Sequence, residues 1–186
     1  VVFAGYGITA PELDYDDYDD IDAEDKIVMV LTHTPEETIS SSDFVKDGNK
    51  NKHGSVTAKT RNAARHGALA LLVVTDPNNY RPDATGRRRH SLDPTGSKFP
   101  TEAAPDRYRP KYYLPEDHPA LAVVHISQEI AEALLSASRK TLSEVQTAIE
   151  ESRKPQSFKI KKRTVTVQTT FKATRSRVQN VIGRVP

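Results

Sequence analysis

Histidines and paired carboxylates are the side chains that most often move protons or hold metals near neutral pH. The six histidines are His33, His53, His66, His90, His118 and His125. None falls in an H-E-x-x-H or H-x-D arrangement, the spacings that bring metal ligands onto one face of an element. The adjacent glutamate pairs are Glu36-Glu37 and Glu150-Glu151. The first follows an apolar run in a polar loop, and the second closes a helical stretch, where a solvated face is the plain expectation. Cysteine is absent, which excludes disulfide frameworks, thiolate zinc sites and a Cys nucleophile together. There is no G-x-S-x-G elbow, no P-loop and no G-x-G-x-x-G. From the residues themselves the expectation is no catalytic residue, no metal site and no cofactor within this chain.

Charge is unevenly spread, although 27 basic and 25 acidic side chains leave only +2 net. Residues 1–25 hold nine acids and no base, whereas after Glu151 there are ten bases and no acid. These read as two solvated ends of opposite sign, or as two ends lying side by side. The run Asp14 to Asp25 could offer oxygens to calcium, but it lacks the D-x-[DN]-x-[DN]-G loop with a distal Glu. Tyr15, Tyr18 and Ile21 interleave it at three-residue spacing, which suits an anchored loop better than a cation cage. Arg87-Arg88-Arg89 present guanidinium forks that suit phosphate or carboxylate. With Tyr112 and Tyr113 they are the candidate contacts for a substrate or partner. Without interleaved aromatics or a global basic excess, nucleic acid is not an expected partner.

The elements around these residues read as α/β. Three short apolar runs, 27–31, 69–74 and 121–126, suit strands buried on both faces. Between the first two lies a helical stretch from Val56 to His66, stopped by Gly67 as a left-handed cap. Ser127 caps a second helix, with Ile130 and Leu134 as its apolar pair. Thr141-Leu142-Ser143-Glu144 is a capping box, followed by an apolar stripe of Leu142, Val145 and Ile149. From Phe158 the apolar residues alternate. Their parity changes across Lys161-Lys162-Arg163, which requires a bulge or a break there. Val1 to Ile8 is a further strand candidate, thinned by Gly5 and Gly7. Residues 75–118 hold seven of the 12 prolines and keep no period. They read as one long loop that orders on a neighbouring surface.

The length of 186 residues suits one domain. The 36% hydrophobic content, below the usual ~45–50%, predicts a modest core. No apolar run nears the ~20 residues of a bilayer span, and no signal peptide opens the chain. It begins without Met and stops at Val185-Pro186, which reads as a part of something longer.

Several stretches together resemble a known family. Val2-Phe3-Ala4-Gly5-Tyr6-Gly7-Ile8, Tyr15-Asp16-Asp17-Tyr18 and Asp25-Lys26-Ile27-Val28-Met29-Val30 resemble the opening of the protease-associated domain of zinc-dependent aminopeptidases, relatives of the transferrin receptor and glutamate carboxypeptidase. Lys59 to Ala68 and the strand into Thr75-Asp76-Pro77 are similar to its helix–strand unit. His118-Pro119-Ala120-Leu121 through Ser127, Lys140-Thr141-Leu142, Lys154 to Phe158 and Asn180-Val181-Ile182-Gly183 continue the likeness over nearly all of 1–186. Residues 75–118 depart from it.

The resemblance implies a swivelling β/β/α domain, an α/β layer with a second sheet made by the terminal strands. It implies insertion into a peptidase, with 174–186 beginning the return into a catalytic domain that holds two zinc ions outside this chain. The partners implied are that catalytic domain, and a peptide substrate or second subunit. The setting implied is secreted, periplasmic or cell-envelope. The function implied is non-catalytic: capping the cleft and modulating substrate access or subunit contacts. The alternative is a stand-alone peptide- or protein-binding module, or the same domain inserted in a serine protease.

Overall fold

The computed structural model describes residues 1–79 and 121–167. Among these, seven strands and four helices follow in chain order: β1 (Val2–Phe3), β2 (Thr9–Ala10), β3 (Tyr15–Asp16), β4 (Ile27–Leu31), α1 (Asn49–Gly54), α2 (Val56–Arg65), β5 (Ala70–Val74), β6 (Ala122–Ile126), α3 (Gln128–Leu135), α4 (Leu142–Ser152) and β7 (Phe158–Lys159). The main sheet has five strands in the order β6-β5-β4-β1-β7. β1, β4, β5 and β6 are parallel, and β7 is antiparallel at the edge. A second, two-stranded antiparallel sheet is formed by β2 and β3.

The three apolar runs are β4, β5 and β6, as the sequence predicts. Alternate side chains of these parallel strands go to opposite faces; β4 and β5 are covered on both, whereas β6, at the sheet edge, is only half-buried from Ala122 to His125. Val28, Val30, Leu71 and Val73 pack with Ala63 of α2 on one side. Met29, Leu31, Leu72 and Val74 pack with Leu135 of α3 and Leu142, Val145 and Ile149 of α4 on the other. Opposite faces are what right-handed crossovers demand. α2 links β4 outward to β5, whereas α3 and α4 carry the chain back across the sheet to β7.

The caps are formed as expected. Ser127 Oγ accepts from Ile130 N, and Thr141 and Glu144 form a reciprocal capping box. The apolar stripe of α3 is turned by one residue. Ala131 and Leu135 are fully buried and Leu134 is partly so, while Ile130 is 53% exposed. The terminal strands do pair, Val2 with Lys159 and Phe3 with Phe158. Within the described residues they extend the main sheet, and the small second sheet comes from β2 and β3. The parity change is a break: Lys162 takes φ 54° in a turn after β7. Asp22 and Lys159, one from each charged end, line one depression at the sheet edge. Lys159 adds slightly to the lowering of the exposed Asp22 carboxyl, after the larger effects of Lys26 and the Glu24 amide.

Candidate functional site

The site lies at the carboxyl ends of β4 and β5, where open parallel sheets bind ligands. Leu31 pairs with Val74, and Thr32 N extends the ladder to the Val74 carbonyl at 2.9 Å. Two residues past that register, His33 stands across from Asp76. Its Nδ1 is 2.6 Å from Asp76 Oδ1, the oxygen that also accepts from the Thr32 hydroxyl.

The turn through Pro35 then doubles back. His33 and Glu36 both adopt left-handed φ values, 56° and 53°, a conformation that costs a non-glycine residue roughly 1–2 kcal/mol. That turn returns the Glu37 carboxylate to 3.6 Å from His33 Nδ1. One donor atom from each of His33, Glu37 and Asp76 lies within 4.8 Å of the others. The Asp76 side chain is fully buried and that of Glu37 nearly so, while His33 retains 16% exposure toward solvent. Asp76 Oδ2 is buried without a hydrogen-bond partner among the described residues.

A second buried charged group adjoins the first. Lys59 of α2 is fully buried and donates to the carbonyls of Tyr6 and of His33, the latter at 2.7 Å. Asp17 is also fully buried. Its Oδ2 accepts from Tyr6 N and Ile8 N, both at 3.0 Å, and its Oδ1 accepts from Tyr15 Oη at 2.9 Å. Burial pushes the Asp17 carboxyl up and the Lys59 ammonium down, and each charge partly offsets the shift of the other.

Gly5 is required here. Its φ is 43°, and a Cβ would stand 2.2 Å from Asp17 Oδ1. Burial also raises the Tyr6 hydroxyl far above its ordinary range, keeping it a donor to Glu150 Oε1 at 2.6 Å. Glu150 Oε2 accepts from Glu36 N at 2.8 Å, and Glu36 pairs with Arg153 at 2.8 Å and Ser42 at 2.8 Å. The Lys59 and Glu150 bonds tie loops to α2 and α4. Lys59, with its donors on two carbonyls and no exposed surface, holds backbone in place and is no nucleophile for a ligand.

These positions correct two sequence expectations. Glu36 and Glu37 are buried at 9% and 8% exposure, and Glu150 is a half-buried link between α4 and two loops. Glu151 stays exposed as expected, but Glu150 is bonded to Tyr6 and to the Glu36 amide, and the first pair, expected in a polar loop, is buried. Asp76, placed by sequence at the start of a long loop, is a core residue. Tyr15 and Tyr18 are anchors as expected, 2% and 3% exposed, and His66 stacks on Tyr18 at 4.1 Å.

Arg87, Arg88, Arg89, Tyr112 and Tyr113 lie outside the described residues, as do His90, His118 and most of the 75–118 loop. An open basic depression, lined by Thr9, Glu12, His53, Arg61, Asn62 and Arg65 among others, lies over the amino-terminal part of the chain. There Glu12 pairs with Lys52 and His53.

The trio His33, Glu37 and Asp76 follows no motif that a linear scan detects. The signal that carries it is register. His33 comes two residues after β4 and Asp76 two residues after β5, so two neighbouring parallel strands place them together. Comparison with family models, with curated proteins and with solved structures finds no significant match. Among the described residues no helix is long and apolar enough to cross a membrane.

Proposed function

We propose that this chain is a non-catalytic protease-associated domain of a zinc aminopeptidase, inserted in the peptidase and capping its cleft so as to modulate substrate access or subunit contacts. The observation that carries the reading is the pairing of β1 with β7. Within the described residues the first and last strands of the chain, at Val2 and Lys159, lie side by side, with Ile160 N bonded to the Val1 carbonyl at 3.0 Å. An inserted domain needs adjacent points of departure and return, so that its host is not prised apart. The stretches that carry the family resemblance also interlock. Asp17 grips the Tyr6–Ile8 backbone, and Lys59 of the helix reaches Tyr6 and His33.

On this reading the small β2–β3 sheet beside the main α/β layer belongs to a swivelling β/β/α arrangement. The zinc ions of catalysis reside in the host, and the setting is secreted, periplasmic or cell-envelope. The partners are the host's catalytic domain and its peptide substrates.

The test is direct. The 186-residue chain, supplied with zinc, is expected to leave aminoacyl anilides intact; zinc-dependent turnover by the chain itself would overturn the proposal. The coding frame after Pro186 is expected to carry an H-x-D motif after a strand and a Glu-Glu pair. A Gly-Thr-Ser nucleophile in its place would assign the domain to a serine protease.

A further inference from the structure

One grouping brings a histidine and two carboxylates together at the carboxyl ends of two neighbouring strands. Of the buried carboxylates, Asp17 offsets Lys59, and Glu36 pairs with Arg153. Glu37 and Asp76 each bring a carboxylate oxygen to the His33 imidazole, at 3.6 and 2.6 Å from Nδ1. The ammonium of Lys59 donates to the Tyr6 and His33 carbonyls, and its charge is felt by both carboxylates without bonding either. Independently of that clustering, the fully buried Asp76 keeps one oxygen, Oδ2, without any hydrogen-bond partner among the described residues. A bare carboxylate oxygen in a water-poor pocket is costly to leave unmatched.

We propose that His33, Glu37 and Asp76 form a binding site for a divalent metal ion of the zinc type. One nitrogen and two carboxylate oxygens are the donors that zinc accepts at about 2.0–2.2 Å. Three donor atoms within 4.8 Å of one another can converge on one such ion with small side-chain movements. The ion takes the place of the hydrogen bond between His33 Nδ1 and Asp76 Oδ1. Thr32, whose hydroxyl already bonds Asp76, is the outer-shell group that orients the carboxylate. Calcium is disfavoured, because it prefers six to eight oxygens. Three protein donors leave the fourth position of a tetrahedral ion to water or to an incoming carboxylate, on the side where His33 meets solvent. The proposal stands apart from the accessory-domain reading, and either can fail without the other.

The test is titration of the 186-residue chain with Zn²⁺ by calorimetry, with Ca²⁺ as the control cation, on wild type and three variants. His33→Asn suits the left-handed turn and Glu37→Gln is isosteric, so both preserve the fold; circular dichroism checks this. His53→Ala removes the exposed histidine that pairs with Glu12. The expected result is one Zn²⁺ per chain, undisturbed by millimolar Ca²⁺ and by His53→Ala. Both His33→Asn and Glu37→Gln should weaken it by more than the ~10–100-fold typical of an outer-shell loss. Absence of stoichiometric binding, or binding that survives His33→Asn in a folded chain, would overturn the proposal.

Discussion

Asp17 and Asp76 are both fully buried carboxylates, and the buried Lys59 feels the charge of each, yet their surroundings differ. Asp17 has donors on both oxygens: two backbone amides and a tyrosine hydroxyl, with the Lys59 charge beyond. Asp76 has two donors on one oxygen and none on the other among the described residues. The difference separates a charge that builds the fold from a charge that is available to a ligand. A fully satisfied buried network fixes one backbone arrangement, whereas a partly satisfied one keeps a desolvation cost that binding can relieve.

The largest effect expected from breaking that contrast comes from Asp17→Ala. It strands two amides, a phenol and the Lys59 ammonium, and should cost about 3–5 kcal/mol, the scale for removing one partner of a buried charged pair. Urea denaturation measures this, and added Zn²⁺ should leave the deficit in place. Gly5→Ala comes next. It drives a methyl group into the Asp17 carboxylate at an unfavourable φ, and should cost more than ~1 kcal/mol in the same assay.

Asp76→Asn sharpens the comparison by sparing the fold. The amide oxygen still accepts from Thr32 and His33, so stability should change by no more than ~1 kcal/mol. Wild type should gain about 2.7 kcal/mol from Zn²⁺ at a hundred times Kd, and Asp76→Asn should lose that gain.

The smallest effect is expected at His125 on β6, away from both carboxylates. Burial lowers its pKa from the ordinary 6.5. Below pH 6.5 the unfolded chain therefore binds a proton that the folded chain resists, and stability falls as pH drops. His125→Gln should flatten that part of the acid-side slope in pH-dependent melting.

The α/β layer is legible in the sequence because β4, β5 and β6 are continuous apolar runs and the caps of α3 and α4 use standard chemistry. Leu69 belongs to its run by composition, yet it precedes β5 and is 59% exposed. β2 and β3 are two residues each, too short to show a period. α1 reads Asn-Lys-Asn-Lys-His-Gly and has no apolar stripe to betray a helix. The Asp76 surroundings are built by segments 43 and 44 residues apart, and those of Asp17 by an irregular turn back onto Tyr6 and Ile8, so neither motif nor periodicity reports them. His33 and Asp76 become visible only once the β4–β5 register is known, since each then occupies the second place beyond a paired strand.

The most direct measurement is an anomalous difference map at the zinc edge, from crystals of the 186-residue chain grown with equimolar Zn²⁺. The account predicts a single strong peak bounded by His33 Nδ1 and the Glu37 and Asp76 carboxylates. Density confined to His53 and Glu12, or no peak beside Asp76, would contradict it.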